Sequence, residues 1–292
     1  MTKIPNDLVA TFSIVGRDPE TGELGIAVQS KFLGVGAVVP WAEAGVGAIA
    51  TQSMANTAYG PEGLALLKEG KSAQEALDEL TSKDPDQAMR QAAIIDANGG
   101  VATFTGDGCY DWAGGKTGDN YSAQGNILVS EETVTAMGRG FEEKTGEPLA
   151  ERLLHALKEG QNAGGDSRGK QSAALFVVKE KGGYGGYNDR MVDVRVDDHV
   201  TPIKELERIF RLHQLYFTRT KEEDIVDIDD DLREQIVRRL TQLNYLHDAT
   251  DVTYRTFYDA LAGYIHNENF EEREQPEGKI DYKLYQYLML EK

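Results

Sequence analysis

The stretch TFSIVGRDPETGELGIAVQSK, residues 11–31, constrains the fold most. Two runs of β-type residues, TFSIVGR and LGIAVQSK, flank DPETGE, whose Asp, Pro and Gly are turn formers. So short a connection folds the chain back antiparallel, because a parallel pair needs a crossover of about a dozen residues or more. The pattern recurs. RQAAIIDANGGVATFTG predicts a second hairpin turning at Asn98-Gly99. VGAVVPWAEAG and VGAIATQS predict two further short strands, and QSAALFVVKE and MVDVRVDD the last two.

Helices are predicted in pairs between these strands. PEGLALLKEG has Pro61 near its start, Gly70 beyond its end and leucines on one face. SAQEALDELTSKD opens with Ser72 and has Glu75 three residues on, the capping-box spacing. NILVSEETVTAMGRGFEEK and EPLAERLLHALKEGQNAGG predict the second pair, with Leu149, Leu153, Leu154 and Leu157 on one stripe. Strands in hairpins and helices in pairs predict an α+β architecture, with two sheets between helical layers. Near Val200 the composition changes: Gly becomes sparse, and charge, Tyr and Leu dominate. The boundary is expected there, giving domains over 1–200 and 201–292. The second is a small all-α bundle built on PIKELERIFRLHQLYF, DDDLREQIVRRLTQLNYL, TYRTFYDALAGYIHNENFEER and KIDYKLYQYLMLEK.

A net charge of −18 would repel a nucleic-acid backbone or an anionic membrane surface, so neither is an expected partner. The single cysteine, Cys109, excludes an intrachain disulfide and a cysteine-based zinc cluster. MTKIPNDLVA lacks the pattern of a secretory signal, and no window approaches the ~18 apolar residues of a membrane span, so the cytoplasm is the expected location.

No phosphate-binding GxxxxGK[ST], HExxH or GxSxG motif is present. GGYGGYND does not lead into a helix and reads as a loop. The 5 histidines lie apart, and EEDIVDIDDD lacks the ligand spacing of a calcium loop, so neither metal nor cofactor is expected. What remains is a set of hydroxyls, amides and charges at strand ends: Thr11, Ser13, Gln29, Ser30, Lys31, Thr51, Gln52, Ser53, Asn126, Asp166, Arg168 and Ser172. A threonine hydroxyl needs a base to take its proton. A free α-amino group on the same residue can do so, with Thr11 as residue one of a mature chain and Lys31 holding the amine deprotonated.

Several separate motifs carry a resemblance: TFSIVGRDPETGELGIAVQSK, WAEAGVGAIATQS, FTGDGC with DWAGG, AQGNIL and AGGDSRGKQSAAL. Over about residues 8–200 the chain resembles a bacterial domain-of-unknown-function family assigned to the Ntn (N-terminal nucleophile) hydrolase superfamily. The resemblance implies a four-layer αββα sandwich and hydrolysis of an amide or other C–N bond in a small metabolite. It implies Thr11 as nucleophile, since many members begin Met-Thr-Phe-Ser-Ile. Ser13, Ser30, Lys31, Asn126, Asp166 and Ser172 complete the implied catalytic set, with Asn126 at the oxyanion and Asp166 and Ser172 orienting the amine. Gln52, Ser53 and Arg168 are the implied substrate-binding residues. Ten residues precede Thr11, so an Ala10–Thr11 cut is required; without it the chain is a non-catalytic binding or scaffold protein.

Residues 202–292 resemble the peptidoglycan-binding domain often attached to that family, through PIKELERIFRLHQLYF, LTQLNYL, ENFEER and IDYKLYQYL. The resemblance implies a glycan partner, for which Tyr216, Phe217, Tyr245, Tyr258 and Tyr264 are groove candidates; the alternatives are core packing and a homodimer interface.

Overall fold

The computed structural model describes residues 11–290. Contacts divide the chain into two compact units, with the division inside one helix, between Ile209 and Phe210. The first unit contains, in chain order, β1 (Thr11–Arg17), β2 (Leu24–Ser30), β3 (Pro40–Glu43), β4 (Gly47–Ser53), α1 (Tyr59–Lys68) and α2 (Ala73–Lys83). There follow β5 (Arg90–Asp96), β6 (Val101–Thr105), β7 (Gly114–Gly118), β8 (Tyr121–Gly125), α3 (Glu132–Glu143), α4 (Leu149–Asn162), β9 (Ser172–Val178) and β10 (Arg190–Val196). Every pairing is antiparallel: a six-stranded sheet in the order β10-β9-β2-β1-β8-β7 and a four-stranded sheet in the order β3-β4-β5-β6.

Strand alternation sets the layers. Val15, Ile26 and Val28 of the larger sheet pack against Ala48, Ala50, Ala93 and Ile95 of the smaller one, all completely buried. Small alanines there let the two sheets close on each other. The outer face of the smaller sheet packs Ile49, Ala92 and Ile94 against Leu64, Leu77 and Leu80 of α1 and α2. The outer face of the larger sheet lies under α3 and α4. At the pair Gly16–Gly25 an added Cβ would sit about 3 Å from Phe141 and Leu153, so two glycines admit the helix pair.

Local chemistry explains the turns. The β1–β2 connection is held by the Asp18 carboxylate, which accepts from the Glu20 and Thr21 N–H groups, and by Gly22 at φ 74°. The capping box forms as expected at Ser72 and Glu75.

Two expectations need correction, and one hairpin is new. VGAVVPWAEAG is not one strand: Val35–Ala37 is a 3-10 turn and only Pro40–Glu43 is extended. NILV does not begin a helix, because Ile127 takes φ 52° and α3 starts at Glu132. The hairpin of β7 and β8 was not foreseen; GGKTG has no apolar alternation to reveal a strand, yet β8 is the direct neighbour of β1.

The helix that spans the division is α5 (Pro202–Phe217). Beyond it lie α6 (Asp230–Gln242), α7 (Tyr254–Asn267) and α8 (Tyr282–Leu290), together with an unforeseen two-stranded ribbon, β11 (Ile225–Asp227) and β12 (Lys279–Asp281). The core of the second unit is Ile236, Leu240, Phe257, Tyr264, Phe270, Leu284 and Leu288. Tyr264 is therefore a core residue. Tyr216, Tyr245 and Tyr258 are half-buried against that core, and Phe217 is 58% exposed. No helix of the described residues is long and apolar enough to cross a membrane.

Candidate active site

The hairpin that opens the described chain ends in a row of polar side chains. Thr11 pairs with Ser30 across β1 and β2, and Ser30 with Ser172 across β2 and β9. On the other side Phe12 pairs with Gly125, so Thr11 lies opposite Asn126, whose N–H donates to the Thr11 carbonyl at 3.0 Å. Directly opposed residues share a sheet face. Ser172, Ser30, Thr11 and Asn126 therefore line the inner face at one end of the larger sheet, each with no exposed surface. Gln29, one residue out of phase, points to the opposite face, where neither of its amide atoms has a partner.

The smaller sheet answers this row with Gln52 and Gln91, which face each other across β4 and β5. Gln91 Nε2 donates to the Gly125 carbonyl (2.7 Å) and the Thr105 hydroxyl (2.9 Å). Its Oε1 accepts from Gln52 Nε2 (2.8 Å) and Asn126 Nδ2 (3.0 Å). Gln52 Oε1 takes the Ser13 hydroxyl proton at 2.6 Å, Ser13 Oγ accepts from Gln124 Nε2 at 2.7 Å, and Gln124 Oε1 accepts from Ser122 at 3.0 Å. This chain crosses between the sheets and fixes every amide in it, since turning one over would oppose two donors or two acceptors. Ser13 is thereby bonded on both sides. Replacing Gln91 by Leu strands the Asn126 donor and two acceptors and leaves Gln52 Nε2 only the Thr11 carbonyl at 3.4 Å, so a stability loss of about 3 kcal/mol or more is expected in chemical denaturation.

Two side chains here lack partners. Asn126 Oδ1 and Ser53 Oγ are completely buried without a hydrogen bond. Left-handed backbone lies at or next to each: Ser53 itself has φ 70°, and Ile127, which follows Asn126, has φ 52°. For a β-branched residue such a φ is a genuine outlier. Ile127 packs against Met54 and Tyr110. The Ser53 hydroxyl also lies beside the Cys109 thiol, without hydrogen-bond geometry; burial pushes that thiol's pKa up, which makes it a weak nucleophile.

The remaining predicted residues gather around the end of β2. Asp166 Oδ2 accepts the Lys31 backbone N–H at 2.9 Å, and its carboxylate takes the Arg168 guanidinium at 3.2 Å (Nε) and 3.0 Å (a terminal N–H). The Lys31 side chain itself is exposed, so its contribution to the cluster is a backbone N–H. The Ser172 hydroxyl donates to the Phe32 carbonyl and accepts from the Val35 N–H, holding the loop after β2. Thr51 donates to the Asn56 carbonyl. Ala10, and with it the near side of the expected cut, lies outside the described residues. Among the described residues no group of three His, Cys, Asp or Glu side chains is placed to hold a metal ion.

Gln91 and Gln124 were not singled out from sequence. The available signal was a lone amide heading an apolar strand (RQAAIID), which a half-buried face would ordinarily replace with an aliphatic.

The strained turn after β4 is clamped from behind. Arg90 donates to the Met54 carbonyl at 2.6 Å and to Asp84 at 2.9 Å, and Asp84 also accepts from Asn56 and Tyr59, each at 3.1 Å. The Arg90 hydrogen bond, outweighing desolvation, holds the Asp84 carboxyl well below the usual carboxylate range. The folded chain therefore binds this proton less readily than the unfolded chain, whose Asp titrates near pH ~4. The stabilisation is complete above about pH 4 and is lost as pH falls through the lower native value. Asp84→Asn should cost about 3 kcal/mol at neutral pH and flatten the acid limb of a stability-against-pH curve. An acid limb unchanged in the variant would refute the assignment.

A family model described as "Family of unknown function (DUF1028)" matches residues 11–206, and one described as "Putative peptidoglycan binding domain" matches residues 216–288. The crystal structure of protein SPO2555 from Silicibacter pomeroyi, itself of the DUF1028 family, is similar with a TM-score of 0.64 and 33% identity, over 70% of this chain and 86% of that one. No curated protein matches the chain.

Proposed function

The chain belongs to the DUF1028 family of unknown function, and on that premise we propose that it is an Ntn-type hydrolase of an amide or other C–N bond in a small molecule. One observation carries the reading: Thr11 begins a central strand, on the inner face, in a buried polar row between Ser30 and Asn126. Two antiparallel sheets packed face to face with helix pairs outside are compatible with an αββα sandwich of that superfamily. The family match also starts at Thr11.

In this reading a cut between Ala10 and Thr11 frees the Thr11 α-amine. The amine takes the hydroxyl proton as Oγ attacks the substrate carbonyl. The second hydrogen of Asn126 Nδ2, with nearby backbone N–H groups, stabilises the oxyanion. The proton then passes to the departing amine, and water hydrolyses the acyl-threonine ester. Ser30 orients the amine. Asp166, tied to Arg168 and to the Lys31 backbone, fixes the end of β2.

Intact-mass spectrometry tests the first step and amine release from a panel of small amides the second. A chain that begins at Thr11 and releases amine is expected. An uncut chain that still hydrolyses amides after Thr11→Ala rejects the mechanism, and an uncut, inactive chain favours the scaffold reading.

For the second unit we propose glycan binding, on the strength of its family match and of exposed Tyr254 and Tyr282. Co-sedimentation of the full chain with insoluble peptidoglycan tests it; no retention, with a dimer on sizing, favours a homodimer role.

A further inference from the structure

Asn126 Oδ1 and Ser53 Oγ lack hydrogen-bond partners at the Thr11 end of the sheets, although both are completely buried. An unpaired buried polar atom is destabilising, and native proteins retain few of them. The orientation of Asn126 is forced. Gln91 Nε2 must donate to the Gly125 carbonyl, so Gln91 Oε1 must accept, and Asn126 must approach it through Nδ2. Oδ1 is then the atom left over. Left-handed backbone at Ser53 and Ile127 adds strain at each position. Cost at two sites, one on each sheet, marks a region shaped for something other than stability.

We infer that Asn126 Oδ1 and Ser53 Oγ receive the carboxamide of a neutral ligand, Oδ1 taking its N–H and the Ser53 hydroxyl donating to its carbonyl. This rests on the reading of the Thr11 end as a substrate site and names the substrate class. A carboxylate has no N–H for Oδ1 and would set lone pairs against it. The nearby guanidinium that would attract an anion, Arg168, is already engaged by Asp166. An ammonium group would have to be buried without a counter-charge, because the Asp166 carboxylate already takes Arg168 and the Lys31 N–H. Ile127, Met54 and Tyr110, packed together beside these groups, offer apolar surface to the rest of the ligand.

The test is equilibrium binding to the wild-type full chain, its processing state read by intact mass and any turnover by released ammonia, using benzamide, benzoate and benzylamine in calorimetry or saturation-transfer NMR. These probes have one shape and are neutral, anionic and cationic. Benzamide should bind at least about tenfold more tightly than either of the others. Ser53→Ala should weaken it by about fivefold or more. Asn126→Asp, which keeps the acceptor and adds a charge, should move the preference to benzylamine; where that variant does not fold, Ser53→Ala decides. Benzoate or benzylamine binding as tightly as benzamide, or no benzamide binding at all, overturns the inference. Hydrolysis by a chain that ranks benzoate first removes this inference alone. Benzamide binding by a chain that never hydrolyses removes only the nucleophile.

Discussion

Arg273→Met should lower the unfolding midpoint of the helical unit by at least about 10 °C. Arg273 is 2% exposed and its partner Asp281 is fully buried, the two joined at 2.6 Å. The guanidinium also donates to the carbonyls of Gln214 (2.9 Å), Leu215 and Thr218 (3.0 Å) and to the Thr218 hydroxyl (2.9 Å). Those carbonyls lie at the C-terminal end of α5, where a helix has no partners of its own for its last four. Arg273 therefore caps a helix with a positive charge, at the end where the dipole favours one. Asp281 accepts in addition from Thr220, Lys283 and Leu284. Burial raises its pKa, but the hydrogen bonds from Thr220, Leu284 and Arg273 outweigh that and leave it lowered. Removing the arginine leaves a buried carboxylate and takes the guanidinium from the Leu215 and Thr218 carbonyls, while the Gln214 carbonyl keeps the Thr218 N–H, and broken buried pairs cost about 3–5 kcal/mol. In the double variant Arg273→Met, Asp281→Asn the stranded charge is gone while the amide oxygen still accepts from the Lys283 and Leu284 N–H groups and the α5 carbonyls stay uncapped, so part of the loss should return. Thermal unfolding followed by circular dichroism measures both. A double variant no more stable than the single one would show that the pair is not what holds this unit.

Much of this architecture is written locally. Asp18, Gly22 and the flanking β-type runs dictate the β1–β2 hairpin, and Ser72 with Glu75 dictates the start of α2. These features need only neighbours in sequence. The β7–β8 hairpin does not announce itself, because its glycines are selected by what lies across from them. A Cβ at Gly115 would strike Thr103, and one at Gly118 would strike Tyr121. The site follows the same division. Thr11, Ser30, Asn126 and Ser172 are legible as polar residues at predicted strand ends. Their alignment in one row depends on register across four strands. Gln91 was invisible because its role is defined by Gln52, Asn126 and the Gly125 carbonyl, 34 to 39 residues away in sequence or on partners of its own partners. Lys31 shows the converse. Its neighbour Ser30 lies in the row, and strand alternation then turns the lysine outward.

Two sets of buried polar groups in the first unit bear on function. Ser13, Gln124, Gln52 and Gln91 satisfy one another and stitch the sheets together. Such a closed network gives a rigid floor. Asn126 and Ser53 stand at its open end with unused capacity. A site needs both: fixed geometry beneath and unsatisfied chemistry above.

Thr11→Ala should abolish both processing and hydrolysis, the latter by at least about 10⁴-fold, since removal of a nucleophile from a hydroxyl–base unit leaves only binding and oxyanion stabilisation. The chain should retain its precursor mass. Thr11→Ser keeps the hydroxyl and the amine and should retain part of both activities, losing the methyl group that holds the rotamer. Thr11→Val separates structure from chemistry. It preserves shape on a face where Thr11 has no exposed surface, and it removes only a hydroxyl, whose hydrogen bonding is worth about 1 kcal/mol per bond. Its melting midpoint should therefore fall by only a few degrees while processing and amine release disappear. In the wild-type chain the freed amine must be unprotonated to act as base, so kcat/KM should rise with pH through the range of an α-amine, near ~8 or below. A Thr11→Val chain that is cut at Ala10–Thr11, or that releases amine at the wild-type rate, would remove Thr11 from the chemistry and leave the row as a structural seam between the sheets.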